Sequence, residues 1–60
     1  MSASTQFAQG DSLWQLKYKT LVRLIQMVPT ATGDIQPKPG DSLWSLERKI
    51  LSVLNQAPAI

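Results

Sequence analysis

The residues best suited to chemistry are two serines, each within a copy of the string Gly-Asp-Ser-Leu-Trp, at Gly10–Trp14 and Gly40–Trp44. A serine attacks a substrate only when a nearby base accepts its hydroxyl proton. The chain contains no His and no Cys, so the commonest general base and the thiol nucleophile are both absent. Ser12 and Ser42 are therefore interpreted as residues that begin helices, not as nucleophiles.

The carboxylates give no catalytic or metal-binding pattern either. Asp11 and Asp41 are assigned to the helix starts, and Asp34 and Glu47 have no spacing that supports a metal site. We therefore expect a protein that is not an enzyme and has no cofactor, metal or small-molecule substrate.

The repeated string is part of a longer duplication. Between Gly10–Met27 and Gly40–Ala57, ten of eighteen positions are identical. A repeat of this kind is one structural unit used twice. The sequence thus predicts two like binding surfaces in place of one asymmetric active site.

Each repeat reads as one capped helix. Short side-chain oxygens at a helix start accept hydrogen bonds from free backbone amides, and an Asp charge suits the positive end of the helix. The expected caps are Asp11, Ser12, Asp41 and Ser42. The first helix is expected from about Ser12 to Met27 or Val28, and the second from Ser42 to about Asn55 or Gln56. Ser12 and Gln15 also fit a capping box.

The organisation predicted for the chain has five parts. These are an extended arm (1–9), a first helical repeat (10–28), a Pro-rich linker (29–39), a second helical repeat (40–57) and a short tail (58–60). Prolines and a glycine exclude regular structure from the linker, which is interpreted as a tether.

The two helices are expected to differ in how much apolar surface they carry. At 100° per residue, apolar side chains cover about 240° of the first helix and about 180° of the second. A contact with one other helix covers only part of so wide a face. Because the chain has no Cys to form disulfides, association with other chains is the expected source of additional stability.

Trp14 and Trp44 are expected to be buried in equivalent ways. The predicted core or interface anchors are Leu13, Trp14, Tyr18, Leu21, Ile25, Leu43, Trp44, Ile50, Leu51 and Leu54. The fold class is all-α: two tandem amphipathic helices with extended ends, stabilised by association.

Composition disfavours several other classes of function. The net charge is +2 and the basic residues form no run, which favours a solvated helix face over a nucleic-acid footprint. No segment offers the roughly 20 apolar residues of a membrane span, and the start lacks the pattern of a signal peptide. The expected partner is a protein, either a symmetric assembly or a second copy of the chain.

Two family resemblances accompany these residues. The Gly-Asp-Ser start, followed by the cluster Leu46-Glu47-Arg48-Lys49-Ile50-Leu51, is similar to short tandem repeats in bacteriophage virion-associated proteins. This resemblance implies a small accessory protein of the virion (decoration, neck or tail), assembled in the host cytoplasm. The string Gln36–Leu46 also resembles the opening of a LysM domain, which implies binding to peptidoglycan or chitin.

The function predicted from the sequence is therefore non-enzymatic binding, with like helices docked onto a larger assembly such as a phage virion. The alternatives are a glycan-binding LysM-like fragment and a small helical regulator that binds nucleic acid.

Overall fold

The computed structural model describes residues 9–57, and the predicted tail and nearly all of the predicted arm lie outside them. Two helices account for the regular structure of the described chain: α1, Leu13–Met27, and α2, Leu43–Gln56. Residues 9–57 contain no β-strand, so the all-α class is confirmed. Both helices begin and end within about one residue of the bounds predicted from sequence. Within the same residues, neither helix has the length and apolar character needed to cross a membrane.

Serine hydroxyls begin both helices. The Ser12 side chain accepts a hydrogen bond from the Gln15 amide at 3.2 Å, and the Gln15 side chain accepts one from the Ser12 amide at 2.7 Å. This reciprocal pair is the predicted capping box. In α2, the Ser42 hydroxyl accepts from the Ser45 amide at 3.1 Å, and no reciprocal bond accompanies it.

The expectation that the aspartates also cap the helices is wrong. Asp11 and Asp41 each precede the N-cap by one residue, and their carboxylates contact a lysine eight positions later. The Nζ–Oδ2 distances are 2.8 Å for Lys19 and Asp11 and 2.6 Å for Lys49 and Asp41. Each lysine side chain therefore reaches back along two turns of its helix to hold the preceding loop.

The two helices run in the same general direction. Near their starts, the Trp14 indole Nε1 donates to the Asp41 carbonyl at 2.6 Å. Near their ends, the Gln56 side chain exchanges hydrogen bonds with the Thr32 backbone at 2.7 and 2.8 Å. Because parallel neighbours need a long return connection, the linker must travel back along the whole length of α1.

This return segment is packed against the helices, so the predicted tether is wrong. Ile35 is only 3% exposed and lies in the core with Leu21, Val28, Leu46 and Val53. A second link is the Lys49 ammonium, which donates to the Gln36 carbonyl at 2.8 Å. The prolines of this segment predicted a tether, whereas Ile35, its one large apolar side chain, anchors the segment to the core.

The helices contact each other through opposite faces of the repeat. The core side of α1 carries Trp14, Tyr18, Leu21, Leu24, Ile25 and Val28, whereas the core side of α2 carries Leu46, Ile50, Val53 and Ala57. At 100° per residue, the positions used by α1 and those used by α2 are centred roughly 140° apart on the shared repeat. The packing is therefore head-to-tail in the sense used for repeats: one face of the first repeat contacts a different face of the second. The two repeats are not related by a pseudo-two-fold axis.

Candidate interaction surface

Trp14 and Trp44 occupy equivalent positions of the repeat in different surroundings. Trp14 is half-buried, stacks on Tyr18 with ring centroids 5.1 Å apart, and donates to Asp41 across the helix pair. Trp44 is 64% exposed, and the Arg48 guanidinium carbon stands 4.8 Å from its ring centroid. The prediction of equivalent burial is wrong because α2 turns the opposite face of the repeat toward the core.

Four large apolar side chains are exposed on one side of α2, two in its first turn and two beyond Glu47, and are here called the α2 strip. Its members are Leu43, Trp44, Leu51 and Leu54, with exposures of 38%, 64%, 60% and 50%. By helical position they fall within about 100° of one another. A single exposed apolar residue is common on protein surfaces, but a group on one helix face is typical of a contact site.

One charged residue lies within the α2 strip and another borders it. Glu47 lies between Trp44 and Leu51, inside the same arc of the helix, and pairs with Lys17 of α1 at 3.2 Å. Arg48 lies beside the strip and stands over the Trp44 ring. Trp and Arg are enriched among the residues that contribute most to binding in protein interfaces.

Two partly buried ion pairs fix the loops that precede the helices. Lys49 is 8% exposed, and its ammonium is held by Asp41 and by the Gln36 carbonyl. Hydrogen bonds to Asp41 from the Lys49 side chain and from the Lys38 amide, in that order, lower the pKa of the Asp41 carboxyl. The pair thereby orients the Asp41 carbonyl that accepts the Trp14 indole.

Sequence reasoning did not identify this ion pair. The signal was available, because Lys19 and Lys49 follow Asp11 and Asp41 at the same spacing in both repeats. The lysines were assigned to a solvated face instead.

The predicted anchors divide into two groups. Leu21 is fully buried, and Trp14, Tyr18, Ile25 and Ile50 pack partly buried against the core. Leu13 and the whole α2 strip are exposed. The core residues absent from the predicted anchors are Val28, Ile35, Leu46, Lys49 and Val53.

An open polar groove lies between the return segment and α2. It has a volume of about 260 Å³ and is lined by Asp34, Ser45, Arg48, Lys49 and Ser52. Lys49 is already held by its partners, so the groove offers only ordinary surface groups. No group of three His, Cys, Asp or Glu side chains that could hold a metal occurs within residues 9–57.

Comparison with known proteins adds no relative. The chain matches no protein-family model, and no curated protein or solved structure is significantly similar to it.

Proposed function

We propose that this protein is a small, non-enzymatic interaction protein that docks onto a larger protein assembly through the α2 strip. The observation that carries the proposal is the exposure of Trp44, Leu51 and Leu54 in the α2 strip, since their α1 counterparts, Trp14, Leu21 and Leu24, pack in the core. A buried Trp side chain is among the strongest contributors to binding in protein interfaces, and buried Leu side chains add apolar area. By resemblance of the repeat, the proposed assembly is a phage virion.

Preorganisation of the strip supports the proposal. The four side chains project from one helix, so their spacing is fixed before a partner arrives. The cation–π contact with Arg48 further restrains the Trp44 ring. Little conformational entropy is then lost when the strip is covered.

The experiment is density-gradient fractionation of the tagged chain produced in its native host. We expect the wild type to migrate with a high-mass particle fraction and Trp44→Ser to remain at low mass. Trp44→Phe is the matched control and should keep most of the high-mass signal. A wild-type chain found only at low mass, or one retained instead on chitin or peptidoglycan, would contradict the proposal and favour the glycan-binding alternative.

A further inference from the structure

We infer that the α2 strip binds the first helix of a second copy of this chain, in a head-to-tail contact that repeats the packing of α1 on α2. The inference rests on the proposed use of the strip as an interaction surface and names its partner. The contact between the helices within one chain is the template for it.

The contact is open-ended by construction. Within one chain, α1 contacts α2 through the face that carries Trp14, and α2 contacts α1 through the other face, which carries Leu46. This pairing does not use the Trp44 face of α2 or the Leu16 face of α1. When two like units join through different surfaces, each addition leaves the same two surfaces at the ends. Repeat proteins stack in this manner, each unit in contact only with its neighbours.

Some of the residues that make the contact within the chain recur at its two ends. On the α2 side, Trp44 and Leu51 are identical to Trp14 and Leu21, which pack against the core. On the α1 side, Leu16 is identical to the buried Leu46.

The loop that receives the indole shares its ion pair and its serine cap between the repeats, although Gly10 has a φ of +93° and its counterpart Gly40 has no positive φ. Asp11 and Lys19 form the same ion pair as Asp41 and Lys49, and a serine caps the helix that follows. The counterpart of the Asp41 carbonyl is therefore the carbonyl of Asp11. A carbonyl oxygen has two lone pairs and accepts a second hydrogen bond even where it already makes one.

The orientation of the Trp44 ring is already restrained before this contact forms. Tyr18 stacks on Trp14, and Arg48, at the equivalent position, stands over Trp44. In both repeats the side chain four residues later restrains the indole. Within residues 9–57, the Trp44 indole makes no hydrogen bond, whereas that of Trp14 donates to the neighbouring repeat.

Charge selects the head-to-tail order over the alternatives. Lys17 and Glu47 are equivalent positions of opposite charge, and they pair with each other within the chain. When α2 of one copy meets α1 of the next, Glu47 again faces Lys17, and the charges alternate along the array. A contact between two α2 helices would instead bring two Glu47 side chains together, and a contact between two α1 helices two Lys17 side chains. Like charges opposite each other select against both.

The contact between copies is weaker than the one within the chain. Thr20 and Arg23 of α1 stand where α2 has Ile50 and Val53, so less apolar surface is buried. The joined helices within one chain also benefit from effective concentration, which separate copies lack. Reversible, concentration-dependent growth is the expected behaviour.

The test is sedimentation of the full chain over a wide range of concentration, followed by complementation of two variants. The wild-type mass should rise gradually and without a limit at the dimer. The donor surface is the α2 strip, and the receiving surface is the face of α1 that carries Leu16 and Thr20. Trp44→Ala alters the donor surface, and Thr20→Lys places a charge on the receiving surface. Met27→Glu, at a position that is 74% exposed, is a second variant of the receiving surface. Helix content by circular dichroism verifies that each variant folds.

Each variant alone should associate at least 10-fold more weakly than wild type, as expected when a large aromatic anchor is lost or a charge is placed in its contact surface. An equal mixture of a donor variant and a receiving variant should form a one-to-one pair and nothing larger, because one intact surface of each kind remains. A wild type that stays monomeric, or that stops at a dimer whose Trp44→Ala form is not rescued in the mixture, would overturn the inference. If the wild type does not self-associate but still needs Trp44 to enter the high-mass fraction, the proposed function stands and only this inference fails. If Trp44 is not needed there either, both the inference and the proposed function fail.

Discussion

Two leucines at the same position of the repeat give the sharpest test of the packing. Leu21 is fully buried in the core, whereas its counterpart Leu51 is 60% exposed. Leu→Ala in a core costs about 2–5 kcal/mol through lost burial and the cavity left behind. We expect Leu21→Ala to lie near about 2–3 kcal/mol, because neighbours in so small a core can relax into the space. Leu51→Ala should change the free energy of unfolding by less than about 0.5 kcal/mol.

A loss of this size is large for a chain of this length. At about 0.05–0.15 kcal/mol per residue, the whole protein is stabilised by only about 3–9 kcal/mol, so Leu21→Ala should remove about a fifth or more of the free energy of unfolding. The corresponding fall in melting temperature is about 10–20 °C. Urea denaturation followed by circular dichroism, at low protein concentration so that association does not contribute, measures both variants. Equal losses at the two positions would refute the opposite-face packing of α1 and α2.

Three further predictions concern single groups. The lowered pKa of Asp41 means that its contribution is complete above about pH 4 and is lost as the pH falls through the folded-state value, so Asp41→Asn should flatten the acid loss of stability seen in pH-dependent melts. Gly33→Ala should destabilise by about 1 kcal/mol because φ is +95°, whereas Gly40, which lacks a positive φ, should accept Ala with little change. Trp14→Phe should cost about 1 kcal/mol with the loss of its hydrogen bond, and Trp44→Phe should be nearly neutral to urea denaturation.

Each of these predictions has an opposing result. An unchanged acid limb in Asp41→Asn would show that the ion pair with Lys49 does not contribute to folding. Equal effects of Ala at the two glycines would contradict the left-handed turn at Gly33, and equal effects of Phe at the two tryptophans would contradict the cross-helix hydrogen bond.

The sequence predicted the helices well because their signals are local. Serine before an apolar run, the Gln15 side chain three residues after Ser12, and Pro29 after the last turn each act on adjacent backbone groups. These signals do not depend on where the second helix lies, so α1 and α2 begin and end where they were expected.

The arrangement of the helices could not be predicted, because identical residues acquire different surroundings only after packing. The apolar side chains on α1 covered too wide an arc to show which part would meet α2. The repeat itself suggested equal surroundings for Trp14 and Trp44, whereas head-to-tail contact makes the two helices use opposite faces. Ile35 was missed for a related reason, since its burial depends on the path of the return segment and not on its neighbours in sequence.

The central claim, that Trp44 lies open on a docking surface while Trp14 is closed within the fold, is tested most directly by nuclear magnetic resonance of the two indole N–H groups. In dilute protein we expect slow hydrogen exchange at Trp14 and fast exchange at Trp44. As concentration rises, the Trp44 signal should shift and become protected while the Trp14 signal stays unchanged. Equal protection of the two indoles in dilute protein, or a Trp44 signal that does not respond to concentration or to any particle fraction, would contradict the account.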